Sequence, residues 1–265
     1  DQPRSRGLGD VYKRQFLTWF LVTAKILPFT AATCIGVSIV CAVGCGFLYH
    51  FQGKNGIDCF PSGKVNLIYG EEILFFIFFL MWTYFAGFRP QAYGTEKFMD
   101  YGFMEAMMRS TTLPARDLWY SEGTINYYYG GQYFAVFLTK LTGSKVELTY
   151  NLMRTFVAAF AFVLPFSLVR QMSVDRLKGS LTGKKRCLPA VAGIIAGLSV
   201  SIAGNMHYVV YSKIIPWLQK LQGREVDSYW FPDATRYIGY NPDVPDKTIH
   251  EFPCYSFVLG DLHAH

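Results

Sequence analysis

The sequence predicts an all-α fold: a polytopic transmembrane helical bundle of four spans plus a truncated fifth, with two long extracytoplasmic loops carrying surface helices. Three observations predict it. Apolar residues make up 51% of the 265-residue chain and charged residues only 17%, against about a quarter in soluble domains. The apolar residues are gathered in blocks. A strongly basic segment separates two of the blocks and orients them.

Residues 1–15, ending "DVYKRQ", are out of character with the rest of the chain. They resemble the translation of a sequencing-library adapter and are set aside. Residues 16–265 read as a fragment of one integral membrane domain. The first block, 26–49, carries no charge, and neither does 73–88, which Tyr69 and Gly70 help to extend as a span over 71–88. The third, 148–169, carries Arg154 near its start, and the fourth, 188–210, is again uncharged. Runs of about 20 apolar residues are what a helix needs to cross roughly 30 Å of hydrocarbon. A fifth span starts near Phe252.

Six basic residues fall in "RQMSVDRLKGSLTGKKR" (170–186), with Asp175 alone opposing them. Lys and Arg in short loops stay on the cytoplasmic side. The loop 170–187 is therefore placed inside and the loops 89–147 and 211–252 outside, in a multi-pass protein of the cell (plasma or inner) membrane. The net charge of +6 follows from this topology and implies no nucleic-acid partner. The six cysteines show neither disulfide nor zinc spacing.

Long loops on a packed scaffold tend to carry function. In the first, Phe98, Met99, Gly102, Phe103, Ala106 and Met107 form an apolar stripe at helical spacing. Glu96, Asp100 and Arg109 are polar. The pattern predicts a helix over 96–109 lying on the membrane surface. The ten-residue run 132–141 is too short to span and reads the same way. Between them, Tyr127, Tyr128 and Tyr129 suit the headgroup layer, having apolar rings and wet hydroxyls. They serve equally as a stacking platform for a sugar or headgroup.

Glu96 and Asp100, four apart, share a helix face. Carboxylates there suit a general base or a divalent cation, or simply a solvated face. In the second loop Asp233 and Arg236 can pair or hold an anion, and Arg matches phosphate bidentately. Trp230, Tyr237 and Tyr240 supply flat faces. The last segment, "HEFPCYSFVLGDLHAH", gathers His250, Glu251, Asp261, His263 and His265. Asp261, His263 and His265 alternate as a metal-ligand set, although on a helix such residues diverge.

"GTEKFMDYGFMEAMMRS", "GTINYYYGGQYFAVFLTKLTG", "YNL" at 150–152 and "IHEFPCYSFVLGDLHAH" together resemble a bacterial and archaeal family of multi-spanning membrane proteins named for its Tyr-Tyr-Tyr motif and of unknown function. The resemblance runs from about Glu71 to the end; Ala264 stands where that family commonly has Pro. A weaker resemblance is to the C-type glycosyltransferases. It implies a sugar moved from a polyprenyl-phosphate carrier to an acceptor glycan or protein on the outer face of the bilayer. It also implies that Asp100, or Glu96 in its place, is the catalytic base, with a divalent metal ion as a candidate cofactor. Arg154 or Arg236 would engage the carrier phosphate. The usual Asp-Glu pair is absent, since Tyr101 follows Asp100. A transporter or envelope-assembly scaffold is the competing reading; it predicts broken helices and mid-membrane charges.

Overall fold

The computed structural model describes residues 3–54, 65–94, 96–177, 183–240 and 242–262. Its long helices are α1 (Pro3–Thr23), α2 (Ala31–Lys54), α3 (Val65–Gly87) and α6 (Val146–Arg176). Between α3 and α6 lie the shorter α4 (Lys97–Arg109) and α5 (Gly130–Thr142). After α6 come α7 (Leu188–Ser201), α8 (His207–Val209), α9 (Ile215–Leu221) and α10 (Pro253–Leu259). Three helices are long and apolar enough to cross a membrane: α2 over Ala31–Phe51, α3 and α6.

Local chemistry sets several ends. Pro28 and Thr30 precede α2, and the Thr33 N–H donates to Thr30 Oγ1 at 3.3 Å, as an N-capping Thr does. α5 stops at Gly143, whose φ of 66° is the left-handed conformation that glycine adopts without strain.

The spans pack around α6. On one side α3 stacks phenylalanines against it, with Phe78 and Phe162 ring centroids 3.6 Å apart. On the other, α7 approaches through glycines. A Cβ on Gly193 would lie 2.7 Å from the Phe166 carbonyl oxygen, and one on Gly197 would lie 2.7 Å from the Phe162 ring. Small residues let helix backbones come this close. The outer faces of α2 and α3 stay apolar and exposed, as at Ile39, Val43, Phe76 and Leu80, which suits hydrocarbon. Gly193→Val and Gly197→Val should each lower stability by about 1–3 kcal/mol through overpacking. Gly36→Ala, whose Cβ would meet nothing within 4 Å, should not lower it, since alanine favours the helix over glycine. Thermal unfolding in detergent reads both. Unchanged midpoints in the two valine variants would refute this packing of α7 on α6.

Four expectations need correction. The fourth apolar run is not one 188–210 helix: α7 is 14 residues long, and the chain leaves helical geometry before α8 begins at His207. There Asn205 Nδ2 donates to the Ala234 carbonyl at 2.6 Å, and Gly204 lies under the Phe252 ring, 2.5 Å from where a Cβ would be. These long-range contacts outweigh apolar continuity. The fifth run forms only the seven-residue α10, closed by Gly260 at φ 82°. The fold is not purely helical, because β1 (Ile238–Tyr240) and β2 (Asp243–Thr248) pair antiparallel. Finally, α4 and α5 are not peripheral. Met104, Met107, Val136 and Phe137 are buried in the largest apolar cluster, together with Val22 of α1, Phe29, Cys34 of α2 and Tyr150 of α6. α1 was not expected; it joins this core through Val22 and through the Gln15 carbonyl, which accepts from Tyr133 Oη at 2.8 Å.

Candidate functional site

The site forms at the N-terminal end of α6, where α4, α5, the end of α3 and the segment after α10 converge. In α4 the buried face is Lys97, Asp100, Phe103, Met104 and Met107. This is turned from the expected stripe: Phe98 is 56% exposed and meets the Trp119 ring edge-on, while Asp100 is 3% exposed. A buried carboxylate needs hydrogen bonds, and α5 supplies one. Gln132 Nε2 donates to Asp100 Oδ1 at 2.7 Å. Gln132 Oε1 is itself buried and accepts no hydrogen bond among the described residues.

Glu96, expected beside Asp100, stands at the N-cap position of α4 without a side-chain capping bond and is exposed. The two acids share a turn, but only Asp100 enters the interior.

Lys97 is also buried, at 6% exposure. Burial, then the neighbouring Arg154 and Arg89, hold its ammonium below the usual lysine range, with Asp261 opposing them. Arg154 donates Nη2 to the carbonyls of Ala86 and Arg89, at 3.1 and 3.0 Å, and Nη1 to that of Gly260 at 3.3 Å. It thereby ties α6 to the end of α3 and to the turn after α10. Gly260 sits at φ 82°, a conformation that favours glycine, and a Cβ there would also displace the Arg154 guanidinium. Asp261 follows, 5% exposed. Tyr150 Oη lies 3.4 Å from the Gly260 carbonyl and within electrostatic range of Asp100, Asp261 and Arg154.

The structure thus gathers Asp100, Arg154 and Asp261, three residues read from separate segments. It adds Lys97, Gln132 and Tyr150, for which the sequence alone suggested no chemical role. Gln132 and Tyr150 stand inside the stretches "GGQYF" and "YNL", but their partners lie far away in the chain. His263 and His265 lie outside the described residues.

The three tyrosines divide. Tyr127 and Tyr128 are half-exposed, with ring centroids 3.9 Å apart, and Tyr127 Oη donates to Tyr128 Oη at 2.6 Å. That hydrogen bond is the main cause that pushes the Tyr127 phenol up to about 12; Glu96 and Asp100 contribute less. Tyr129 turns inward at the start of α5, where Trp19 Nε1 donates to its Oη at 3.4 Å.

The second loop builds a separate cleft of about 690 Å³. Asp233 and Arg236 both line it. Arg236 is turned to its own loop, donating to the Pro232 carbonyl at 3.1 Å and to Thr235 Oγ1 at 3.3 Å. Its guanidinium carbon lies 5.2 Å from the Trp230 ring centroid. His250 is exposed, its backbone N–H held by the Thr235 carbonyl at 2.9 Å and its ring tilted against Tyr237. Glu251 is half-buried.

No curated protein and no solved structure is similar enough to count as a match. A family model described as "Uncharacterized membrane protein (DUF2298)" matches residues 14–265. That match takes in the helices long enough to span, both loops and every residue of the buried cluster, and the chain belongs to this family of membrane proteins.

Proposed function

We propose that this membrane protein transfers a sugar from a polyprenyl-phosphate carrier to an acceptor hydroxyl at the membrane surface. The observation that carries the reading is the buried Asp100 oriented by Gln132. A carboxylate fixed in this way can take the proton of an incoming hydroxyl. Lys97, a cation in a dry setting, suits the carrier's phosphate, because charge is screened least where water is excluded. Arg154 is occupied by three carbonyls, which gives it a positioning task. Tyr127 and Tyr128 offer stacked, half-exposed rings. An apolar cleft of about 200 Å³, lined by Phe79, Ala135, Leu138, Met153 and Phe156, is where a carrier chain would lie.

Asp261 sits in the field of Lys97 and Arg154. The other two residues of the expected metal set, His263 and His265, lie outside the described residues. The competing reading, transport, draws on Glu71 of α3. This carboxylate is 2% exposed and accepts from Ser167 Oγ of α6 at 2.7 Å, and an ionisable group inside a span is a functional candidate. Transport would require Glu71; sugar transfer would not. Loss of transfer in an Asp100→Asn variant tests the proposal.

The reaction is placed on the outer face, with the basic loop inside. In intact cells, with the other native cysteines replaced, an impermeant maleimide should label Ser121→Cys and spare Cys187. Labelling of both, or of Cys187 alone, would sink this topology.

A further inference from the structure

The cleft in the second loop is separate from the Asp100 cluster. We propose that it binds a neutral glycan, with pyranose rings laid against its aromatic walls. Its volume of about 690 Å³ falls within the range of small-molecule sites. Its walls come from three stretches: His207 to Gln219, Asp227 to Trp230, and Asp233 to Tyr240.

An aromatic belt at a membrane interface needs rings but no convergent polar groups. Here the polar groups are set in place. Gln219 Nε2 donates to Asp227 Oδ2 at 2.9 Å. His207 Nδ1 and Tyr229 Oη lie 3.3 Å apart, and the His207 and Tyr211 rings stack at 4.3 Å. Trp230 is 58% exposed, and Arg236 is steadied over its ring.

Charge then selects the ligand class. Asp227, Asp233 and Arg236, with His207, are the titratable side chains in its wall besides the tyrosines. Two carboxylates disfavour a phosphate, which sets aside the anion expected at Arg236. The arginine disfavours an ammonium. A neutral ring with many hydroxyls suits all three: the carboxylates accept its O–H groups, the guanidinium donates, and the aromatic faces cover its C–H surface.

The inference rests on the sugar-transfer reading for its biological sense, but its test is binding without turnover. The full-length protein in nanodiscs is titrated with mannotriose and chitotriose, read by saturation-transfer NMR, beside choline and pyrophosphate. A trisaccharide should bind at millimolar concentration. Trp230→Ala should weaken it about tenfold, as expected for losing one stacked ring. Asp227→Asn, a change at an exposed residue, should also weaken it and guards against misfolding of the tryptophan variant. Glu105→Gln, outside the cleft, should leave binding unchanged. Absence of trisaccharide binding, binding indifferent to both cleft variants, or a preference for choline or pyrophosphate overturns the inference. Glycan binding together with normal transfer by Asp100→Asn would instead retire the transfer reading and keep the cleft.

Discussion

Asp100→Asn is expected to lower sugar transfer by about 10²–10⁴-fold, the usual cost of losing a general base, while expression and membrane insertion persist. Asparagine keeps the size of the side chain. Its carbonyl oxygen can still accept from Gln132, so the α4–α5 contact survives. Only charge and basicity are lost. Glu105→Gln is the control. Glu105 is half-buried beside Tyr101 on the same helix and should change transfer or stability by less than about 0.5 kcal/mol. The assay follows a radiolabelled sugar from a polyprenyl-phosphate donor in membranes of cells expressing the complete protein. Near-normal turnover by the Asp100 variant would end the base assignment.

Arg154→Ala is expected to destabilise the protein by about 3 kcal/mol or more. Each hydrogen bond from a charged donor contributes about 1.5–3 kcal/mol, and carbonyls left buried without donors add to the loss. The three carbonyls belong to the end of α3 and the turn after α10. The variant should therefore loosen both together, seen as a lower unfolding midpoint and faster proteolysis near residues 88–94 and 253–262. Arg154→Lys should recover less than half of the loss, since an ammonium lacks the planar fork that reaches separated acceptors. A midpoint unchanged in Arg154→Ala would show that these bonds do not hold the site.

Legibility in the sequence tracks the range of the interactions. The helices α2, α3 and α6 could be read because hydropathy over about 20 residues is a local property. Even the short α4 and α5 were visible in their periodicity. Their orientation was not. Burying Asp100 makes sense only once Gln132 is beside it, and that partner is 32 residues away. The setting of Lys97 was not legible either, because its charged neighbours Arg154 and Asp261 come from α6 and from the segment after α10. The break after α7 had a local sign, Gly204–Asn205, which was absorbed into an apolar run. What fixes the break is Ala234 and Phe252, and no local pattern points to either. The hairpin β1–β2 escaped because its second strand, "DVPDKT", is wholly exposed and shows no alternation.

The shortness of α7 has a consequence for the lipid around it. With 14 residues at 1.5 Å each, it reaches about 21 Å, against roughly 30 Å of hydrocarbon. The 31-residue α6 beside it is more than long enough. An apolar wall of α7's height falls about 9 Å short of the hydrocarbon thickness. Shortfalls of this kind are met by thinning of the membrane or by neighbouring segments covering the gap. His207–Leu221, separated from α7 by five residues, carries exposed Tyr208, Tyr211 and Trp217, side chains that tolerate the headgroup boundary. The bilayer on this flank would be pinched, bringing the headgroup layer down towards the mouth of the aromatic cleft.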